Sequence, residues 1–262
     1  MGRDFPDSGL MRLIRTGQVR VNKKRCGPFD RISSGDIVRI PPYTDASAPA
    51  PPSCGPINIV YENPDFLVLN KPGNLPVHPG TGHADSLTGR VFSSRPDETF
   101  KPTPVHRLDK NTTGLILFAK SYSWLRKIQD FRQSGELEKI YMVWVRGTWT
   151  RKPGPIRDGL LRHQDRVRVS DKGKPALCLV TPVLKRPGMT LLRIGLETGR
   201  THQIRVQLAE RGFPVMGDMK YGPKAPGNQG MFLHSFRISW PGNSFQVVPD
   251  WAGAFSVPED IS

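Results

Sequence analysis

The chain has 262 residues and a formal net charge of +15, enough length for one sizeable core with a small satellite domain. Such a basic excess on a chain of ordinary apolar content indicates a polyanionic partner, nucleic acid first. No apolar run approaches the roughly 18 residues of a spanning helix and the N-terminus lacks the apolar core of a signal peptide, so no membrane role and a cytoplasmic location are expected.

Residues 1–40 read as a helix followed by a ribbon. Leu10, Leu13 and Ile14 recur at helical spacing, Gly17 is placed to end that helix, and Val19 and Val21 alternate about Arg20 as in a half-buried strand. SSGDIVRIPP then supplies a Gly-Asp turn and a second strand. Arg12, Arg15, Arg20, Lys23, Lys24 and Arg25 crowd into this unit, and a platform for RNA phosphates is favoured over a merely solvated face. The stretch PPYTDASAPAPPSCGP, residues 41–56, has the composition of an extended, semi-rigid linker.

From Ile57 to the C-terminus at residue 262 a second domain is expected. Short apolar runs (INIVY, FLVLN, LILFA, IYMVWVRG, LCLVTPVL, TLLRIGL) are broken by Gly, Pro, Asn and Asp, the pattern of many strands. Helices are predicted over Tyr122–Gln133 and Thr201–Arg211, the second ended by Gly212. The fold class is therefore α+β, with a mixed, largely antiparallel sheet and flanking helices. Cys26, Cys54 and Cys178 lie far apart without a C-x-x-C pair, so ordinary thiols are expected and no metal site. Neither phosphate-loop nor dinucleotide glycine signature occurs, which leaves the chemistry to side chains.

Three segments carry candidate chemistry. In VHRLDKNTTGLILFAKS, Asp109 sits on a polar turn before a strand, flanked by Arg107 and Lys110; alone it would read as a loop carboxylate. In EKIYMVWVRG, Tyr141 alone would read as a core or edge aromatic. In ETGRTHQIRVQLAERG, Arg200, His202 and Arg205 gather where a helix begins, with His202 and Arg205 on one face and Ile204 and Leu208 on another, a place suited to an anion.

Together these segments resemble the RluA-type pseudouridine synthases. HRLDKNTTGLILFAKS is similar to the family's motif bearing the catalytic aspartate, EKIYMVWVRG to the segment of its active-site tyrosine, and TGRTHQIRVQLA followed by PVMGDMKYG to its arginine motif. The likeness runs from YENPDFLVLNKPGNLPVHPG to FLHSFRISWP, nearly all of residues 57–241. RLIRTGQVRVNKKRCGPFDRISSGDIVRIPP resembles the later part of an S4 RNA-binding domain, an arrangement found in RluC-like enzymes. Its usual opening helix has no counterpart, since too few residues precede Leu10; either the chain is truncated or the unit folds against another body. Lys110, Thr113, Gln207 and Ser235 depart from the residues usual in the family.

The resemblance implies isomerisation of uridine in RNA to pseudouridine, breaking C1′–N1 and making C1′–C5, with no cofactor. Asp109 would attack the ribose or the base ring, or remove a ribose proton. Covered by a nucleotide it must stay ionised, which Arg205 as its ion-pair partner favours. Tyr141 would pack on the uracil and take or relay the C5 proton. Arg107 would help hold the target out of the stack, and His106, Arg200, His202 and Leu233 are carried over as substrate contacts. Ribosomal RNA of the large subunit is favoured over transfer RNA, and a monomer is expected. Two rival classes are a non-catalytic ribosome-associated RNA-binding protein and a hydrolase pairing Asp109 with Glu136 or Glu138.

Overall fold

The computed structural model describes residues 13–14, 17–27, 30–41, 55–80, 85–223 and 230–258. The chain divides into two compact units, Met1–Ala50 and Pro51–Ser262.

In the first unit, β1 (Arg20–Val21) pairs antiparallel with β2 (Lys24–Arg25) on one side and β3 (Val38–Arg39) on the other. Asn22 and Lys23 turn β1 into β2 with φ of 49° and 66°, the two left-handed residues that a tight hairpin of this hand requires. Ile37 N–H donates to Asn22 Oδ1 (3.0 Å) and Asn22 Nδ2 donates to Asp36 Oδ1 (2.7 Å), tying the turn to the approach of β3. Leu13 and Ile14 are helical, and Gly17, at φ 73°, closes that turn by donating to the Ile14 carbonyl. Arg20, Lys23 and Lys24 are exposed. Leu10, Arg12, Arg15 and linker residues 42–54 lie outside the described residues.

The second unit runs β4 (Ile59–Glu62), β5 (Phe66–Lys71), α1 (Leu87–Ser93), β6 (Thr103–Pro104), β7 (Thr113–Ala119), α2 (Tyr122–Ser134), β8 (Glu138–Arg146), β9 (Gly154–His163), β10 (Arg166–Val169), β11 (Lys174–Arg186), β12 (Met189–Leu196), α3 (Gln203–Glu210), β13 (Leu233–Trp240) and β14 (Asn243–Gln246). They form one sheet in the order β10-β9-β11-β12-β8-β13-β7-β5-β4, with β14 on β13 and β6 on β7. Only β13 and β7 run parallel among these pairs; the rest are antiparallel. The α+β expectation with a mixed, largely antiparallel sheet is thus met.

Both faces of the central strands are covered, which is why their sequences are continuously apolar rather than alternating. Along β7, Ile116 and Phe118 pack with α1 and α3 residues Leu87, Val91, Ile204 and Leu208, whereas Leu115, Leu117 and Ala119 pack with α2 residues Trp124, Leu125 and Ile128. Helix α2 is capped by Ser121, whose hydroxyl accepts from Trp124 N–H, and ends at left-handed Gly135. Helix α3 begins at Gln203, two residues after the predicted start, because His202 sits outside the helix at φ 53°. Among the elements not anticipated, α1 has seven residues, too few to show a period, and β9 is interrupted by Gly and Pro. Cys178 is buried, which pushes its thiol up to about 12.

Candidate active site

Asp109 lies on the irregular segment just before β7, where Thr112 N–H donates to the Asp109 carbonyl (3.1 Å) and closes a turn. Three contacts fix that turn. Lys71, at the end of β5 and wholly buried, donates from Nζ to the carbonyls of Pro72 (2.8 Å), Leu75 (2.8 Å) and Lys110 (3.0 Å). Thr113 Oγ1 donates to His234 Nδ1 (2.7 Å), whose Nε2 in turn donates to the Val247 carbonyl (2.9 Å). Burial pushes that imidazole down to about 4, so it is neutral and carries its proton on Nε2. Gly114, at φ 101°, crosses directly over the backbone of Ser235 on β13, where a Cβ would collide with the Ser235 carbonyl oxygen.

The arginine comes from α3. Arg205 is 8% exposed and holds two carboxylates at once: Nη1 donates to Asp109 Oδ2 (2.8 Å), while Nε and Nη2 form a fork on Asp218 (2.7 and 2.8 Å). Asp218, its side chain shut off from solvent, also accepts from the N–H groups of Lys220 (2.9 Å) and Tyr221 (3.2 Å). Burial alone would raise its carboxyl, but these bonds hold it below the ordinary value; burial likewise opposes the Arg205 charge, and Asp218 and Asp109 more than restore it. The Tyr221 ring lies under the guanidinium at 5.1 Å, and its hydroxyl accepts from Val167 N–H and donates to His202 Nδ1 (2.7 Å). Gly217, at φ 74°, lets Asp218 follow a backbone pressed against Gly230. One oxygen of Asp109 is therefore held, at a side chain 18% exposed, and the carboxylate faces a cavity.

That cavity, of about 90 Å³, is lined by Asp109, Arg205, Arg107, Tyr141, Leu233, Arg200 and His202 among others. Strand register sets the opposite wall: Tyr141 on β8 stands beside Ser235 on β13 and Ile194 on β12. Burial raises the Tyr141 phenol above its ordinary value, with the Ser235 hydroxyl pulling it down and the Asp109 charge adding to the rise, so it stays protonated. Arg107 and Arg200 are exposed at the rim, Arg200 Nε donating to the Pro175 carbonyl (3.0 Å). His106 lies outside this cavity; its Nε2 accepts from Leu117 N–H (3.3 Å), and burial pushes it down to about 3. Glu136 and Glu138 are exposed and line no described cavity.

Sequence reasoning did not single out Asp218, Tyr221 or Lys71. The first two stood inside PVMGDMKYG, but nothing in a sequence pairs an aspartate with an arginine thirteen residues back. The family departures also find places: Lys110 gives a carbonyl to Lys71, Thr113 bonds His234, and buried Gln207 donates to Asp158 Oδ2 (2.9 Å), pinning α3 to β9.

Fold and site define an α+β protein in which a carboxylate bonded to a buried guanidinium faces a cavity shared with a protonated phenol and rimmed by arginines. A family model described as RNA pseudouridylate synthase matches residues 65–210. The chain is 35% identical over 254 residues to the Ribosomal large subunit pseudouridine synthase C of Vibrio vulnificus, covering 90% of this chain and 80% of that one. It is 35% identical over 256 residues to the protein of the same name from Haemophilus influenzae, covering 90% and 79%. The solved structure of Human RNA Pseudouridylate Synthase Domain Containing 1 shares the fold, with a TM-score of 0.61 at 23% identity over 74% of this chain and 84% of that one. The chain belongs to the RNA pseudouridylate synthase family, and it is an isomerase that converts uridine in RNA to pseudouridine.

Proposed function

We propose that the chain modifies uridines of large-subunit ribosomal RNA, with Asp109 as the reacting carboxylate. The observation that carries the chemistry is the chain of bonds from Asp218 through Arg205 to Asp109, at 2.8 Å or less, in a cavity shared with Tyr141. The substrate assignment is supported by relatives, similar over nine-tenths of this chain, that bear the name Ribosomal large subunit pseudouridine synthase C.

Arg205 bonds Asp109 and fixes one of its oxygens, leaving the other to act as nucleophile or as base. The flipped uracil stacks against Tyr141 and Leu233, a contact worth roughly 1–3 kcal/mol against the few kcal/mol that extrusion costs. The phenol then relays the C5 proton, its oxygen taking that proton while its own O–H proton passes to solvent, and N1 of the product gains a proton in turn. Arg107 fills the place left in the stack, Arg200 and His202 meet the backbone at the rim, and His106 supports the wall behind. The first unit, with Arg12, Arg15, Arg20, Lys23 and Lys24, serves as an S4-like phosphate platform joined by the linker to residues 57–262. The protein acts as a monomer in the cytoplasm, consistent with α2 burying its apolar face on its own sheet.

The test is incubation with uridine-labelled large-subunit RNA and, in parallel, transfer RNA. Pseudouridine in the former without release of free uracil is the expected result. Conversion of transfer RNA alone would refute the substrate, uracil release would indicate a hydrolase, and binding without conversion a non-catalytic RNA-binding protein.

A further inference from the structure

Beside the catalytic cavity lies a second one of about 310 Å³, which shares Arg107, Tyr141, Leu196 and Gly199 with it. It is roughly ten times the volume that one water occupies in the liquid. Its wall is peculiar in charge. Arg107, Arg132 and Lys139 all line it, and among the described residues no carboxylate does. His106 also lines it; because Nε2 accepts from Leu117 N–H, the neutral ring carries its proton on Nδ1, which is buried without a partner.

Lys139 is the telling residue. It is 7% exposed, as buried as Arg205 at 8%. The other two buried lysine or arginine side chains among the described residues are paired: Arg205 with Asp109 and Asp218, Lys71 with its carbonyls. Lys139 has no hydrogen-bond or ion-pair partner for its ammonium among the described residues, and the nearest acid it feels, Glu197, is exposed and does not line the cavity. An unpaired cation in such a place is costly unless something completes it. Lys139 stands two residues before Tyr141 on β8, so both project from one face, roughly 7 Å apart along the strand.

We infer that this second cavity is a binding site for one backbone phosphate of the RNA next to the target nucleotide, held by Lys139 and Arg132, with Arg107 at the rim the two cavities share. The inference rests on the RNA reading above and adds where the chain adjoining the flipped uridine is gripped. Lys139 supplies the point charge inside, and Arg132, exposed on α2, closes over the outer side.

The test uses the full chain and an oligoribonucleotide containing the converted uridine, with a neutral methylphosphonate at each flanking linkage in turn. For the native protein one linkage should stand out, its neutralisation weakening binding about tenfold, the worth of one charge-assisted contact. For Lys139→Met, RNA with ordinary phosphates should bind about tenfold more weakly, the salt slope should fall by about 0.7, and that linkage should cease to matter. Lys139→Arg should restore the linkage effect. Exposed Lys127→Gln, which also removes one charge, should not erase it.

The thermal midpoint of Lys139→Met without RNA should be no lower than native, since an unpaired buried charge is removed. A Lys139→Met protein that binds as the native one does, or for which the same linkage keeps its penalty, overturns the site and leaves Lys139 as a packed stem. If the native protein converts no ribosomal RNA, the substrate reading fails on its own. The linkage effect on binding, measured on any RNA it converts, still decides the phosphate site.

Discussion

At the scale of single residues, the proposed reacting group and the groups that hold it differ in what they touch. Asp109 has one oxygen on Arg205 and otherwise faces the cavity, so Asp109→Asn keeps the shape while removing the charge. Pseudouridine formation should drop by about 10³-fold or more, within the span of side-chain acid–base catalysis, while filter binding of RNA is unchanged. Asp218 is shut off from solvent, does not line the cavity and bonds Arg205 instead. Asp218→Ala leaves the guanidinium buried with half its partners and should cost about 3–5 kcal/mol in denaturant unfolding. The pH behaviour follows from the same bonds. The Asp218 carboxyl is held below its ordinary value in the fold, so its contribution is complete above the unfolded value of about 3.9 and is lost as pH falls through the lower folded value. An acid titration of stability should therefore show a steeper fall below about pH 4 for the native protein than for Asp218→Asn.

Between elements, the turn bearing Asp109 is positioned by contacts from strands distant in sequence, β5 and β13, rather than by its own conformation. Lys71 reaches the Lys110 carbonyl from 39 residues away and also ties down the turn that follows β5. Lys71→Met removes three charge-assisted bonds and leaves buried carbonyls unpaired, a loss of about 3 kcal/mol or more. Single-turnover rate should suffer more than RNA affinity, because the binding cations are elsewhere; equal losses in both would show that Lys71 merely stabilises the fold. Gly114→Ala tests the close crossing of β7 and β13, where both the positive φ and the Ser235 backbone oppose a side chain. It should be destabilising by more than the roughly 1 kcal/mol of an ordinary glycine replacement.

Across the whole molecule, part of the basic charge falls in the first unit and the candidate chemistry in the second. Residues 1–55 contain nine Lys and Arg against five Asp, while Asp109, Tyr141 and Arg205 all belong to the second unit with its own core. A chain beginning at residue 56 should bind RNA more weakly and with a shallower salt slope, by roughly 0.7 for each single-strand phosphate no longer neutralised, yet still convert uridine at saturating RNA. An unchanged slope would make the N-terminal bases a solvated face. A folded truncation without single-turnover activity would instead place the first unit in positioning the target.

Local chemistry was readable where it is written locally. Hydrophobic runs set β5, β7, β8 and β12 to within a few residues, Ser121 and Gly135 punctuate α2, and the segments around Asp109, Tyr141 and Arg205 carried the family likeness. The chain also declared its basic surface, since net charge is a sum over residues and needs no fold. Seven-residue α1 and Gly- and Pro-broken β9 went unread because their burial comes from partners elsewhere in the sheet. The same holds for the site. That Asp218 rather than solvent backs Arg205, that Lys71 locks the catalytic turn, and that Lys139 stands unpaired beside a second cavity are facts of pairing between residues 13 to 96 positions apart or more. A sequence specifies which groups are charged, but burial and distance decide which charges meet, and only the closed tertiary structure sets those.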